Sequence, residues 1–236
     1  MYGGYYGFYW DPTYFMVVIG AIICLIASAR VKSTFNRFDK VRSYSGLTGA
    51  QAAERMLQMS GIYDVKVGHV RGNLTDHYNP KTKTLNLSDS VYNSTSVAAI
   101  GVAAHECGHA IQHKIGYFPL KMRAVSVPVA NIGSKLSWPI ILIGMIIGQM
   151  GIARIGVRLF GFVVLFQLIT LPVEFDASHR ALKILEEKRL LIGGEMKGAT
   201  KVLKAAALTY VASLFSSILQ FLRLLILTQG NGRRRR

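Results

Sequence analysis

The sequence predicts an α+β fold: a mostly helical integral membrane protein with three to four transmembrane helices, and a small polar domain of helices plus a short β-hairpin at the cytoplasmic face. Three observations predict it. Four stretches carry no formal charge: Pro12 to Ala29, Leu136 to Ala153, Leu159 to Val173 and Ala205 to Leu222. A helix needs about 17–25 apolar residues to cross a bilayer, so the first, second and fourth qualify directly, and the third does if it extends upstream through Arg158 with a snorkelling head. Between the first two, the chain turns polar and mixes helical with alternating patterns. A run of Lys and Arg follows the first stretch.

Composition agrees. Hydrophobic residues make up 51%, yet 28 Lys and Arg face 12 Asp and Glu for a formal charge of +16. Apolar blocks with basic linkers suit a bilayer with anionic headgroups. No nucleic-acid partner is expected, because that charge footprint belongs on a soluble module. Cys24 and Cys107 give neither a disulfide framework nor a Cys-rich zinc site.

Residues 1–42 read as an aromatic tail ("MYGGYYGFYW"), a membrane anchor and its basic flank. The anchor is not a cleaved signal peptide, since Asp11 is the only charged side chain before Arg30. Arg30, Lys32, Arg37, Lys40 and Arg42 behind it place the N-terminus outside and the next domain in the cytoplasm. Residues 43–125 form the polar domain. Leu47 to Gly61 reads as a helix capped by Thr48 and stopped by Gly61. "YDVKVGHV" alternates like a strand, and "LTDHY" and "KTLNLS", separated by a turn at residues 79–82, read as a hairpin. Ser94 or Ser96 caps a helix through "VAAIGVAAHECGHAIQH". Residues 126–173 make a transmembrane hairpin with Arg154 and Arg158 in its outer turn. Residues 174–204 carry a helix that starts at Pro172, then a glycine-containing loop. Residues 205–236 are a last membrane helix and a basic tail. With four crossings, "RRRR" ends outside, against the positive-inside tendency.

The motif helix carries the chemistry. His105-Glu106-Cys107-Gly108-His109 matches H-E-x-x-H. Residues i and i+4 share a helical face, so two imidazoles can reach one Zn²⁺, with Glu106 placed as general base. His113 lies ~12 Å along the helix from His105, too far to share that ion. The extended pattern with a third histidine fails, because Gln112 and Ile115 hold its remaining positions. From Cys107 to Val173 there is no Asp or Glu; the first is Glu174. On its helix Glu174 shares the apolar face with Ser178, Ala181, Leu182 and Leu185, while Asp176 faces Arg180, Lys183 and Glu187. A carboxylate on the buried face is costly unless paired or metal-bound, which makes Glu174 the expected third ligand. Asp176 and His179 remain weaker candidates, and a carboxylate serving only the helix dipole is the bland alternative. If Glu174 meets the histidines, the intervening chain must cross the membrane an even number of times, as a hairpin does.

"LTDHYNPKTKTLNLSDSVYNSTSVAAIGVAAHECGHAIQH", "PLKMRAVSVPVANIGSKLSW", "LFQLITLPVEFDASHRAL" and "AAALTYVA" closely resemble the YugP-type neutral zinc metallopeptidases of bacterial cell membranes. More distantly the chain is similar to the gluzincin membrane proteases HtpX and the CAAX prenyl proteases, in which an H-E-x-x-H helix pairs with a downstream E-x-x-x-D helix. The resemblance implies a small gluzincin-like protease domain with one catalytic Zn²⁺, ligands His105, His109 and Glu174, and Glu106 as base. It also implies an endopeptidase taking peptide or protein substrate in extended form, the peptides or membrane or misfolded proteins of its surroundings. Ser178 stands where the distant pattern has Asp, so orientation of a histidine falls to Ser178, Asp176 or another residue. For the oxyanion, His77, Tyr78, His179, Arg180 and Tyr210 are all candidates. An edge strand, from "KTLNL" or "LTDHY", would pair with substrate. Two other readings are a site-2-type intramembrane protease, whose motif helix would need a longer apolar run than Val97 to Ala104, and a non-catalytic zinc-binding scaffold, which has no need of Glu106.

Overall fold

The computed structural model describes residues 11–229, so the aromatic opening and the terminal arginines lie outside the described residues. The chain is mostly helical with one small sheet, and four helices are long and apolar enough to cross a membrane: α1 (Tyr14–Asp39), α4 (Phe118–Ile146), α5 (Met150–Glu187) and α6 (Gly194–Gln229). α1 packs along α6 and α4 along α5. Small residues allow the approach: Gly20 abuts Ser216, Gly133 the Leu159 carbonyl, and Gly144 the backbone of Ala153. Apolar side chains such as Leu25, Ile26, Leu142, Ile143 and Leu165 face outward, as a lipid-facing belt requires.

The polar segment supplies α2 (Gly49–Met59), β1 (Lys66–Val70), β2 (His77–Asn79), β3 (Thr84–Ser88) and α3 (Val97–Lys114). Thr48 opens α2 with a reciprocal capping box to Gln51. Of the two serines proposed for α3, Ser96 is the cap, accepting from the Ala99 N–H at 3.0 Å. The hairpin β2–β3 forms, and β1 joins the far side of β3 in parallel. The strand order β1-β3-β2 corrects one expectation: "KTLNL" is the central strand, paired on both sides, and β2, from the end of "LTDHY", is an edge.

α3 is the hub. Ile100, Ala103, Ala104 and Cys107 are almost fully buried against Met56 and Leu57 of α2, Leu85 and Leu87 of β3, Ala181 and Leu185 of α5, and Val202 and Leu203 of α6. The helix is built of small residues because neighbours press on every side; a Cβ at Gly108 would overlap the Ala177 carbonyl of α5.

Two helix boundaries differ from expectation. Pro172 does not start a helix but lies inside α5, which runs unbroken for 38 residues. The apolar stretch Leu136 to Ala153 is not one span: α4 ends at Ile146, Gly148 turns the chain at φ +71°, and α5 begins at Met150. Arg154 and Arg158 are therefore in α5 rather than in a turn, and Arg154 Nε donates to the Thr228 carbonyl at 3.2 Å. The divisions at 125/126 and 173/174 fall within α4 and α5. Glu174 is 24 residues beyond Met150, roughly 36 Å along the helix, so α5 is long enough to carry it past ~30 Å of hydrocarbon.

Candidate active site

α3 sets His105 and His109 one turn apart on one face, their rings edge to face at 4.8 Å between centroids. α5 crosses that face closely because Gly108 permits it, and brings Glu174 in from the membrane side. Glu174 Oε2 lies 3.2 Å from His105 Nε2 and 3.6 Å from His109 Nε2, and the three candidate ligand atoms all fall within 4.8 Å of one another. Glu174 is only 2% exposed, a placement that costs a carboxylate several kcal/mol unless it is compensated.

The imidazole tautomer at His109 follows from its neighbour. Gln112 donates its amide N–H groups to the Val173 carbonyl at 2.8 Å and to Asp176 Oδ2 at 2.7 Å. Its Oε1 must then accept from His109 Nδ1–H, 3.0 Å away. That leaves the Nε2 lone pair facing Glu174. Ser178 Oγ lies 3.1 Å from His105 Nδ1, placed to accept from it in the same sense. Two nitrogen lone pairs and a carboxylate oxygen thus converge, an arrangement that repels itself unless a cation sits between. Burial alone would lower the pKa of His109, but the Glu174 carboxylate beside it and the charge of Glu106 outweigh it, and the net direction is up. Around a tetrahedral zinc with ~2.0–2.2 Å bonds, neighbouring ligand atoms sit about 3.4 Å apart. The donor set fits that ion, and the two distances from Glu174 are close to this spacing.

Arg123 of α4 donates from Nη1 to Glu174 Oε1 at 2.8 Å. One carboxylate oxygen is thereby held by the guanidinium, and the other is directed at the histidines. Neither Arg123 nor Gln112 was expected from the sequence as part of the site. Gln112 was within reach, since it follows His109 by one helical turn; Arg123 carries no sequence signal, because only the packing of α4 on α5 brings it near.

A cavity of about 600 Å³ is lined by Glu106, His109 and Glu174, by edge strand β2, and by Val127 and Pro128 of α4. Glu106 is 7% exposed, and among the described residues its carboxylate has no hydrogen-bond partner. The remaining candidates separate cleanly. His77, Tyr78 and Tyr210 line the cavity. His77 is held by the Thr75 carbonyl at 3.0 Å and Asn86 at 3.1 Å, and the Tyr78 hydroxyl bonds His113 Nδ1 at 2.8 Å. His179 is exposed and the cavity does not reach it. Arg180 is also outside; it donates to Asp176 at 2.6 Å and stacks over Tyr117. Asp176 does not join the three converging groups, but it touches Gln112 and so reaches His109 indirectly. Cys107 points away into the core, where burial pushes its thiol pKa far above the ordinary range.

Comparison with known proteins gives a consistent answer. Residues 13–229 match the family model described as "Putative neutral zinc metallopeptidase". The "Putative membrane protease YugP" of Bacillus subtilis (strain 168) is 43% identical over 213 residues, spanning 90% of this chain and 95% of that protein. No solved structure matches the chain.

Proposed function

The chain belongs to this neutral zinc metallopeptidase family, and from that premise we propose that it is a membrane-embedded zinc endopeptidase of the gluzincin type, with its site on the cytoplasmic side of a bacterial cell membrane. The observation that carries the reading is the convergence of His105, His109 and Glu174 beneath a cavity that also holds Glu106. His105, His109 and Glu174 would hold the ion. When bound, zinc supplies Lewis acidity, lowering the pKa of water to roughly 7 and polarising a carbonyl.

The protein's own groups do the rest. Glu106 accepts the proton of the attacking water and passes it to the leaving amine, a role suited to an unpaired carboxylate in a cavity. Gln112 and Ser178 keep the two imidazoles with Nε2 forward, and Arg123 keeps Glu174 from turning away. Edge strand β2 offers backbone groups to an extended peptide laid along the cavity. Tyr78, His77 and Tyr210 line the cavity and are the candidate donors to the developing oxyanion. The basic flank of α1 favours the cytoplasmic orientation.

The test is cleavage of a disordered protein by the detergent-purified enzyme, wild type beside Glu106→Gln, with zinc content measured for both. Wild type should cut, the variant should lose at least about 100-fold, and both should hold one zinc. Equal cleavage by both removes Glu106 from the mechanism. Zinc in both with no cleavage by either supports a scaffold.

A further inference from the structure

A second cavity, of about 500 Å³, lies between the membrane helices away from the zinc-site cavity. It is lined by Tyr14, Trp138, Ser216, Ser217, Gln220 and Arg223, with Phe160 as apolar wall. Arg223 stands 13 residues beyond Tyr210 along α6, roughly 20 Å, so the two cavities are separate. Its side chain is only 12% exposed. A guanidinium buried among helices, even near their ends, is costly unless it is paired.

This one is not fully paired. Its guanidinium lies over the Tyr14 ring at 4.2 Å, and Nη2 approaches Asp11 Oδ2 only to 3.5 Å. The Asp11 oxygens are already engaged by the Thr13 N–H at 3.0 Å and its hydroxyl at 2.6 Å. Among the described residues, Arg223 Nε is buried without a partner. No carboxylate lines the cavity among them, and residues 1–10 contain no Asp or Glu that could supply one. Ser216, Ser217, Gln220 and Arg223 line one space, and the nearby carboxylate of Asp11 reaches the guanidinium only at 3.5 Å and does not line it.

We propose that this cavity binds the phosphate of an anionic phospholipid headgroup from the leaflet at the N-terminal end of α1. The guanidinium fork matches phosphate oxygens, Ser216, Ser217 and Gln220 add neutral donors, and Tyr14 and Trp138 are residues that favour the headgroup level. The apolar wall selects a lipid over free phosphate, since an acyl chain has surface to lie on and an inorganic ion does not. The proposal is independent of the zinc chemistry.

Native mass spectrometry of the detergent-purified protein with added phosphatidylglycerol or phosphatidylcholine tests it, for wild type, Arg223→Gln and Arg223→Lys. Wild type should retain phosphatidylglycerol in preference to phosphatidylcholine. Arg223→Gln should weaken retention about tenfold or more, the loss of one charge-assisted contact, while Arg223→Lys keeps most of it and zinc content stays the same in all three. Millimolar inorganic phosphate should not displace the lipid. Headgroup preference unchanged in Arg223→Gln, or no preference in wild type, overturns the proposal; displacement by inorganic phosphate makes the site an anion site and overturns its assignment to lipid. If Arg223→Gln fails to fold, Ser216→Ala/Ser217→Ala and Gln220→Leu take its place, with the same outcomes.

Discussion

Truncating the Gln112 amide would release His109 twice over, by removing the acceptor that fixes its Nδ1–H and by cutting its link to Val173 and Asp176. Gln112→Leu, close in volume, should therefore lower zinc affinity 10–100-fold, the usual cost of losing a group that orients a ligand. Arg123→Gln should act in the same direction through Glu174, by freeing Oε1 and letting the carboxylate rotate. Competition with a fluorescent chelator reads both, and an affinity equal to wild type in either variant removes that residue from the site. At this scale the legible residues were those with a spacing or a scarcity behind them. His105 and His109 follow from i, i+4, and Glu174 from being the first acid after a long gap. Arg123 was not legible, because its role depends on where one membrane helix lies against another.

Helix interiors show the same division. The caps at Thr48 and Ser96 and the stop at Gly61 are local chemistry, and each stands where local chemistry puts it. Pro172 misled because a proline breaks a helix in water, whereas a helix packed among others in a membrane tolerates the lost hydrogen bond. The α4–α5 turn was hidden because Gly144, Gly148 and Gly151 sit in an unbroken apolar stretch; only the positive φ of Gly148 marks the bend. The α3–α5 seam supplies the prediction at this scale. A methyl at Gly108 meets backbone at Ala177, which cannot step aside, whereas one at Gly101 reaches the Ala199 methyl at an acceptable 3.4 Å. Gly108→Ala should destabilise by about 1–3 kcal/mol and weaken zinc binding by moving α5 off the histidines. Gly101→Ala should be neutral or gain up to about 1 kcal/mol from helix propensity. Thermal unfolding in detergent, with zinc content alongside, separates the two; a Gly108→Ala protein as stable and zinc-loaded as wild type would show that the seam is not tight.

For the whole molecule, the four long helices put their ends in two groups. The start of α1, the end of α6 and the α4–α5 turn lie together, joined by Arg223 to Asp11 and Arg154 to Thr228. The other ends meet the polar domain and the candidate site. Orientation is then decided by charge: Arg30, Lys32, Arg37, Lys40 and Arg42 follow α1 at the site end, while the arginines at 233–236 pull the other way. The α1 flank should prevail, because charges beside an early span act before the rest of the chain is made. In a Cys24→Ser background, Ile147→Cys in the turn and Glu54→Cys on α2 are both exposed positions, and Cys107 is buried enough to stay silent. A membrane-impermeant maleimide applied to intact cells should label Ile147→Cys at once and Glu54→Cys only after permeabilisation. The reverse pattern would place the site outside, where its substrates would have to be extracytoplasmic chains and the charge of the α1 flank would have lost to that of the tail.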